Sequence, residues 1–263
     1  MQNPRTILLF AWAELVLCTL LLGLPQPSHG WQRLESGLDF AEFALAGQDK
    51  AIAVLRIDAT KFHFVLCSAD TPKKARTLPE WARQYDLLAA INASMYLKDG
   101  KTSTGYLRHK DLVNNPRFHQ GFGAFFVANP KNQALPQAAI LERDEPDLFR
   151  KLDQYELVVQ NFRLITRQGR IPWPKTGPAH PIACVAMDHN GNVLFILCKI
   201  AVQAHTLASK LLQLPLMVSS AMYVEGGFEA ELFVKGLDAK EQEALFPLLT
   251  IHSKLPNVLG VRP

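Results

Sequence analysis

A carboxylate at the end of an apolar strand is the residue of this chain best placed to do chemistry. Residues 221–224 form a short apolar run that leads into Glu225, and Gly226 and Gly227 follow it. Two glycines let the backbone turn tightly and leave no Cβ atoms between the backbone and a ligand. Glu229 lies nearby in sequence, and a second carboxylate at close range would raise the pKa of the first. This pattern predicts a catalytic carboxyl in a cleft, with a tight turn and an exposed glutamate as the alternative.

Two further segments carry polar side chains that suit a ligand rich in oxygen. Asn92 follows the apolar run 87–91, and its amide could hold a sugar hydroxyl or a phosphate oxygen, or could instead cap a turn. Thr104 belongs to the hydroxyl-rich loop 102–106. The hydroxyls and backbone N–H groups of such a loop could cradle an anion, although an ordinary turn into a strand is the alternative.

The spacing of histidines and carboxylates gives little support for a metal or a nucleotide cofactor. The eight histidines form no H-E-x-x-H pair, and the chain contains no G-x-S-x-G, P-loop or G-x-G-x-x-G motif. His180 lies in a proline-rich loop, residues 172–181, that could cover a site. We therefore predict no cofactor and no preformed metal site. A divalent cation stays open, because Glu225, Glu229 and Asp188 could supply oxygen ligands.

Short strand patterns dominate the elements that must position these residues. Asn190-Gly191 between two apolar runs predicts one hairpin, and residues 58–60 predict a second between runs 51–57 and 62–67. Helices are predicted from Thr77, over 144–155, over 206–214 and near 240–245. No linker or repeat divides the chain. We predict an α+β fold, with a single domain over residues 31–263 and a mixed, mostly antiparallel sheet packed with helices.

The first thirty residues differ from the rest of the chain. Residues 7–24 are almost wholly apolar, Glu14 interrupts them, and small residues precede Trp31. We predict a signal peptide over residues 1–30, cleaved after Gly30, and hence a periplasmic or secreted protein. An uncleaved N-terminal anchor is the alternative, although Glu14 would be costly inside a bilayer. A membrane would then be a partner only through this segment.

Charge and cysteine content narrow the partners further. The formal net charge is +4 and no dense run of lysine and arginine occurs, so we predict no nucleic-acid partner. Export would leave Cys67, Cys184 and Cys198, all in apolar runs. We expect buried, unpaired thiols, with a Cys184–Cys198 disulfide across the hairpin as the alternative.

Taken in order, these segments resemble the phosphodiester glycosidase family, in particular a compact bacterial branch of it. N-A-S-M-Y at 92–96 is similar to the first motif of that family, and Y-V-E-G-G at 223–227 is similar to its closing motif. Between them, A-H-P at 179–181 lies where the family has His-Pro-Arg, and further likenesses occur at residues 123–126, 160–165 and 186–194. Four departures from the family pattern occur: Ser94 for glycine, Ile182 for arginine, Glu225 for aspartate, and Phe228-Glu229 for the Gly-Ser that often follows.

The resemblance implies a hydrolase that cleaves a sugar phosphodiester in the cell envelope, with a glycan or sugar phosphate as ligand. Glu225 would activate water or stabilise positive charge at the anomeric carbon, and His180 would carry a proton or contact phosphate. The remaining residues implied to bind substrate are Asn92, Tyr96, Thr104, Asn161, Arg163, Gly226 and Gly227. Arg163 or Arg108 would have to replace the missing arginine. A non-catalytic periplasmic glycan-binding protein with the same fold is the alternative.

Overall fold

The computed structural model describes residues 30–70, 72–245 and 253–263, so the predicted signal segment lies outside the described residues except for Gly30. The strands are β1 (Gln32–Glu35), β2 (Leu38–Leu45), β3 (Gln48–Ile57), β4 (His63–Ser68), β5 (Ala89–Asn92), β6 (Leu107–His109), β7 (Leu112–Asn115), β8 (Ala124–Pro130), β9 (Ala138–Glu142), β10 (Tyr155–Asn161), β11 (Arg163–Ile165), β12 (His180–Asp188), β13 (Val193–Val202), β14 (Val218–Gly226), β15 (Leu232–Val234) and β16 (Asn257–Arg262). The α-helices of these residues are α1 (Leu78–Tyr85), α2 (Leu148–Leu152), α3 (Ala204–Gln213) and α4 (Ala239–Glu243).

The strands form three sheets within one compact unit, Gln32–Pro263. Their orders are β1-β2-β3-β13-β12-β14-β11, β7-β6-β10-β8-β9 and β15-β5-β16-β4. Every strand pairing among the described residues is antiparallel. The predicted α+β, mostly antiparallel, single-domain fold is therefore confirmed, with the one predicted sheet divided into three.

One core joins the three sheets, because each of them contributes a phenylalanine to the same contact. The ring of Phe64 on β4 lies 5.5 Å from that of Phe126 on β8 and 6.3 Å from that of Phe195 on β13, both edge to face. All three side chains are fully buried. Edge-to-face pairs of this kind stabilise a core by about 0.5–1.5 kcal/mol beyond the area that they bury.

Of the two predicted hairpins, one is confirmed and the other is wrong. β12 and β13 pair across Asn190-Gly191 with Met187 opposite Val193, as the turn sequence requires. By contrast, β3 pairs with β2 and β13, whereas β4 lies in another sheet and pairs with β16. The turn at residues 58–60 is real, since Asp58 Oδ1 accepts a hydrogen bond from the Thr60 N–H at 3.1 Å. It redirects the chain between sheets because both edges of β3 are already occupied.

The predicted helices form, although one is much shorter than expected. α1 begins with a capping box, in which the Thr77 hydroxyl accepts from the Glu80 N–H while the Glu80 carboxylate accepts from the Thr77 N–H. The pattern over 144–155 yields only the five residues of α2. Pro146 precedes Asp147, which adopts a left-handed conformation with φ 54°, and Tyr155 already belongs to β10. These two constraints confine the helix to a single turn.

The three described cysteines are free and buried, as the favoured interpretation predicted. Cys184 faces Ile196 across the β12–β13 ladder and Cys198 faces Ile182, so the two thiols are diagonal neighbours. Diagonal positions are about 7–8 Å apart, beyond the usual span of a disulfide. The alternative Cys184–Cys198 bridge is absent from this structure. Among the described residues, no helix has the length and apolar character needed to cross a bilayer.

Candidate active site

Glu225 is buried near the end of β14 and lies within the strand. Its side chain is 6% exposed, so the alternative of an exposed glutamate in a turn is wrong. Oε1 accepts a hydrogen bond from the Gly226 N–H at 2.9 Å, and Oε2 is buried without a hydrogen-bond partner. Burial raises the pKa of this carboxyl to about 8, against the weaker opposing effect of the Gly226 N–H. Glu225 is therefore mostly protonated at neutral pH.

Gly226 makes room for two polar side chains beside Glu225. A Cβ atom built on Gly226 would collide with the Tyr223 hydroxyl, and would lie 2.9 Å from Cε1 and 3.1 Å from Nε2 of His180. Only glycine therefore allows the imidazole and the phenol to lie against this backbone. His180 begins β12, and its Nδ1 atom is buried without a hydrogen-bond partner. The open backbone space predicted at Gly226 is filled by protein side chains, whereas a Cβ at Gly227 would meet nothing within 4 Å.

A second carboxyl group faces the same region. Glu229 follows Gly227 in a 3₁₀ turn, and its Oε1 accepts a hydrogen bond from the Tyr96 hydroxyl. Burial, this hydrogen bond and the charges of Glu229 and Glu225 all raise the pKa of the Tyr96 phenol. The charge of Glu229 also contributes to the raised pKa of Glu225. The structure thus brings Tyr96, Glu225 and Glu229 together, as expected of a pair of interacting carboxyl groups.

Asn92 and Asn161 hold this region in place through backbone hydrogen bonds. Asn92 Nδ2 donates to the Glu229 carbonyl at 2.6 Å and its Oδ1 accepts from the Glu231 N–H at 3.0 Å. Asn161 Nδ2 donates to the Val224 carbonyl at 3.1 Å and its Oδ1 accepts from the Phe162 N–H at 2.8 Å. Both side chains are at most 1% exposed. The structure shows them positioning the Glu225–Glu229 segment, and their predicted contact with substrate stays a prediction.

We expect Asn92→Ala to destabilise the domain by about 2–4 kcal/mol, because it removes two buried hydrogen bonds and leaves their backbone partners unsatisfied. Urea unfolding of the variant beside the wild type would measure this loss. Asn132→Ala is the matched control, since Asn132 lies in an exposed turn where its Oδ1 accepts one hydrogen bond from Ala134. Equal stability losses in the two variants would contradict the positioning role of Asn92.

Thr104 and the two candidate arginines occupy different surroundings. The Thr104 hydroxyl donates to the Met95 carbonyl at 3.3 Å, next to Tyr96. Arg163 lines a cavity and pairs through Nη1 with Asp144 at 3.0 Å and with Glu142 at 3.6 Å. Arg108 donates to the carbonyls of Leu152 and Tyr155, at the end of β10 remote from Asn161. Arg163 is therefore the nearer of the two to the strand that carries Glu225, since it pairs with Met222 on β14, but two carboxylates already balance its charge.

An aromatic cluster that the sequence analysis did not single out surrounds the other side of Tyr223. The Tyr223 ring lies 5.3 Å from Trp173 and 6.4 Å from Phe162, and Phe162 lies 5.5 Å from Trp173. The Trp173 indole N–H donates to the Arg163 carbonyl at 2.7 Å. The sequence signal was weak, because Trp173 sits in the proline-rich loop and meets Tyr223 only through the folded chain.

Comparison with known proteins identifies the family. The family model described as phosphodiester glycosidase matches residues 85–262. The chain belongs to the phosphodiester glycosidase family. A search of curated proteins found no match.

Two solved structures share the fold of this family member at low identity. One is the catalytic domain of zebrafish N-acetylglucosamine-1-phosphodiester alpha-N-acetylglucosaminidase, auto-inhibited by its pro-peptide. It is 12% identical to this chain, with a TM-score of 0.59, and the match covers 89% of this chain and 85% of the zebrafish chain. A hypothetical protein from Synechocystis is also 12% identical, with a TM-score of 0.56 over 85% of this chain. The match covers 61% of the Synechocystis chain. At this identity the likenesses establish the fold alone.

At one departure from the family pattern, the fold buries the residue that replaces the arginine. Ile182, in place of the arginine, is fully buried in β12 opposite Gly226. This member of the family therefore has no cationic side chain at that position.

A cation bound jointly by Glu225, Glu229 and Asp188 is ruled out by distance. Asp188 pairs with Val218 at the far end of β14, about 20 Å from Glu225 at the rise of an extended strand. Its carboxylate accepts hydrogen bonds from Asn190 and Asn192 in the hairpin turn. Within the described ranges, no three His, Cys, Asp or Glu side chains are grouped so as to hold a metal ion.

Proposed function

We propose that this chain is an exported hydrolase that cleaves a sugar phosphodiester, with the reaction centred on Glu225. The observation that carries the proposal is the buried Glu225 carboxyl, whose pKa is about 8 and whose Oε2 atom has no partner within the protein. An unpartnered buried polar atom costs stability, so its retention at one end of a strand fits a functional group. Membership of the family and the printed activity of the zebrafish protein support a glycosidic phosphodiester as the substrate class.

The protonation state of Glu225 favours a role as proton donor. A neutral carboxyl can approach an anionic phosphodiester without the repulsion that a carboxylate would meet. Its free Oε2 atom can then give a proton to a phosphate oxygen as the bond to the sugar breaks. A pKa somewhat above the working pH keeps most of the molecules in the form that donates.

Glu229 is the group proposed to act on the sugar. It follows the turn at Gly227 and is less buried than Glu225, and the Tyr96 hydroxyl orients its carboxylate. A negative charge at this place would stabilise the positive charge that develops on the anomeric carbon, or would orient the attacking water. The two carboxyl groups therefore have different surroundings, since Glu225 is buried and Glu229 is partly exposed.

His180 completes the proposed site as a contact for phosphate. Its imidazole lies over Gly226, next to Glu225, and its Nδ1 atom has no partner within the protein. Either ring nitrogen can donate a hydrogen bond to a phosphate oxygen, depending on the tautomer. This contact would partly replace the arginine lost at Ile182.

Hydrolysis of a panel of α-N-acetylglucosamine-1-phosphodiesters by the purified protein would test the proposal. We expect release of the free sugar from at least one member, detected by chromatography, and no release after heat inactivation. The absence of hydrolysis across the panel would overturn the assignment of a phosphodiester substrate.

The second candidate function is a glycan-binding protein of the envelope without catalysis. It is favoured by the buried Ile182 and by the pairing of Arg163 with two carboxylates, which together leave the site poor in free positive charge. Saturable binding of the same diesters without hydrolysis would support this alternative.

A further inference from the structure

A cavity of about 380 Å³ lies beside the proposed active site, where β10 passes into β11 under the proline-rich loop. The residues that line it include two aromatic side chains, Trp173 and Phe162, together with Arg163, Gly123, Pro172 and Pro174. A volume of this size is typical of small-molecule sites. The cavity contains none of the carboxyl groups assigned to the reaction.

The indole of Trp173 is held as a fixed platform. Its N–H donates to the Arg163 carbonyl, and its ring packs against Phe162 and Tyr223. The face of an aromatic ring carries partial negative charge and attracts the C–H groups that line one face of a pyranose ring. A tryptophan fixed in this way suits a sugar ring, which offers an apolar face and a rim of hydroxyl groups.

Arg163 offers hydrogen-bond donors to the cavity, and two carboxylates already balance its positive charge. Its Nη1 atom pairs with Asp144 and Glu142, while its Nε–Nη2 edge faces Gly123. A Cβ atom on Gly123 would lie 2.6 Å from Nε and 3.2 Å from Nη2, so only glycine at this position leaves room for the Arg163 guanidinium to lie where it lines the cavity. With two carboxylates beside it, this guanidinium is better suited to neutral hydroxyl groups than to a phosphate.

Tyr223 links this cavity to the reacting groups. One side of its ring contacts Trp173, and its hydroxyl lies against Gly226, the residue after Glu225. We propose that the cavity is a carbohydrate subsite that holds a neutral pyranose ring on the leaving-group side of the substrate. The assignment to the leaving group rests on the proposed function, whereas binding of a pyranose does not.

Binding is tested with the ¹⁵N-labelled full chain, titrated with methyl hexopyranosides and, separately, with inorganic phosphate. We expect saturable shifts of the Trp173 indole N–H and the Gly123 amide with a pyranoside and none with phosphate. Trp173→Leu should weaken binding about tenfold, and Trp173→Phe, which keeps a ring, should weaken it less. If Trp173→Leu does not fold, Gly123→Ala decides, because its methyl group would collide with Nε and displace the Arg163 guanidinium from the cavity, which should also weaken binding.

A kinetic comparison separates this inference from the proposed function. Trp173→Leu should raise KM for a diester with a pyranosyl leaving group and leave kcat/KM unchanged for a diester with a small alkyl leaving group. If the protein binds a pyranoside but hydrolyses no diester, the proposed subsite is supported and the proposed hydrolase function is overturned. The subsite is overturned by a saturable response to phosphate alone, by no response to any pyranoside, or by binding that survives both Trp173→Leu and Gly123→Ala.

Discussion

We expect Glu225→Gln to lower kcat for phosphodiester hydrolysis by about 10²–10⁴-fold, the range typical of a lost general acid. Glutamine keeps the size of the side chain and can still accept the Gly226 N–H hydrogen bond, but it has no proton to give. The effect should fall on kcat more than on KM, since the proton is transferred as the bond breaks. Steady-state kinetics of the purified variant on an accepted diester measures it.

Glu231→Gln is the matched control for that experiment. Glu231 is also a buried carboxyl with an unpartnered Oε2, and burial raises its pKa to about 7. Its other oxygen accepts from the Ser253 N–H at 2.9 Å, which ties it to the last strand region of the chain. We expect near wild-type turnover in Glu231→Gln. Equal losses of kcat in the two variants would contradict a chemical role specific to Glu225.

We expect the stability of the domain to fall as the pH rises from about 5 to about 8. Glu225 and Glu231 have pKa values of about 8 and about 7 in the folded chain, against 4.5 for an unperturbed glutamate. The folded state therefore holds protons that the unfolded state has released, and their stabilising effect is complete below pH 4.5 and lost as the pH passes the folded values. The free energy lost is on the order of 4 kcal/mol for Glu225 and 3 kcal/mol for Glu231.

Urea unfolding across this pH range measures the effect, and the two glutamine variants identify its source. In each variant the free energy of unfolding should depend less on pH, and the variant should be more stable than the wild type at alkaline pH, because glutamine does not ionise. Burial raises the pKa of Asp39, but its hydrogen bonds and ion pairs with Arg56 and Arg33 lower it by more. The titration of Asp39 therefore changes the stability only at acid pH. A wild-type stability that is flat from about pH 5 to about pH 8 would show that neither buried glutamate keeps its proton.

Local sequence signals predicted the parts of the fold that depend on neighbouring residues. Asn190-Gly191 specifies its turn through backbone conformation, and the Thr77–Glu80 capping box specifies a helix start within four residues. The partner of β4 could not be predicted in this way. Its pairing with β16 joins residues almost two hundred positions apart, so no turn sequence encodes it.

The candidate site likewise combines features that neighbouring residues encode with features that join distant segments. Glu225 was predicted as a candidate from sequence because a strand, a carboxylate and two glycines are contiguous. The burial that sets its pKa, the Tyr96–Glu229 hydrogen bond and the contact of Trp173 with Tyr223 all join distant segments. Asn92 was recognised as a polar residue at a strand end and Asn161 only through the family resemblance, and only the structure shows that their amides bind backbone groups.

The pH dependence of kcat/KM for an accepted phosphodiester tests most directly whether Glu225 acts as a buried acid. We predict that kcat/KM is highest below about pH 8 and falls tenfold per pH unit above it, as the free enzyme loses the Glu225 proton. Glu225→Gln should show no such fall in its residual activity. A kcat/KM that instead rises through about pH 8 would mean that the ionised carboxylate is the active form, and would contradict the account.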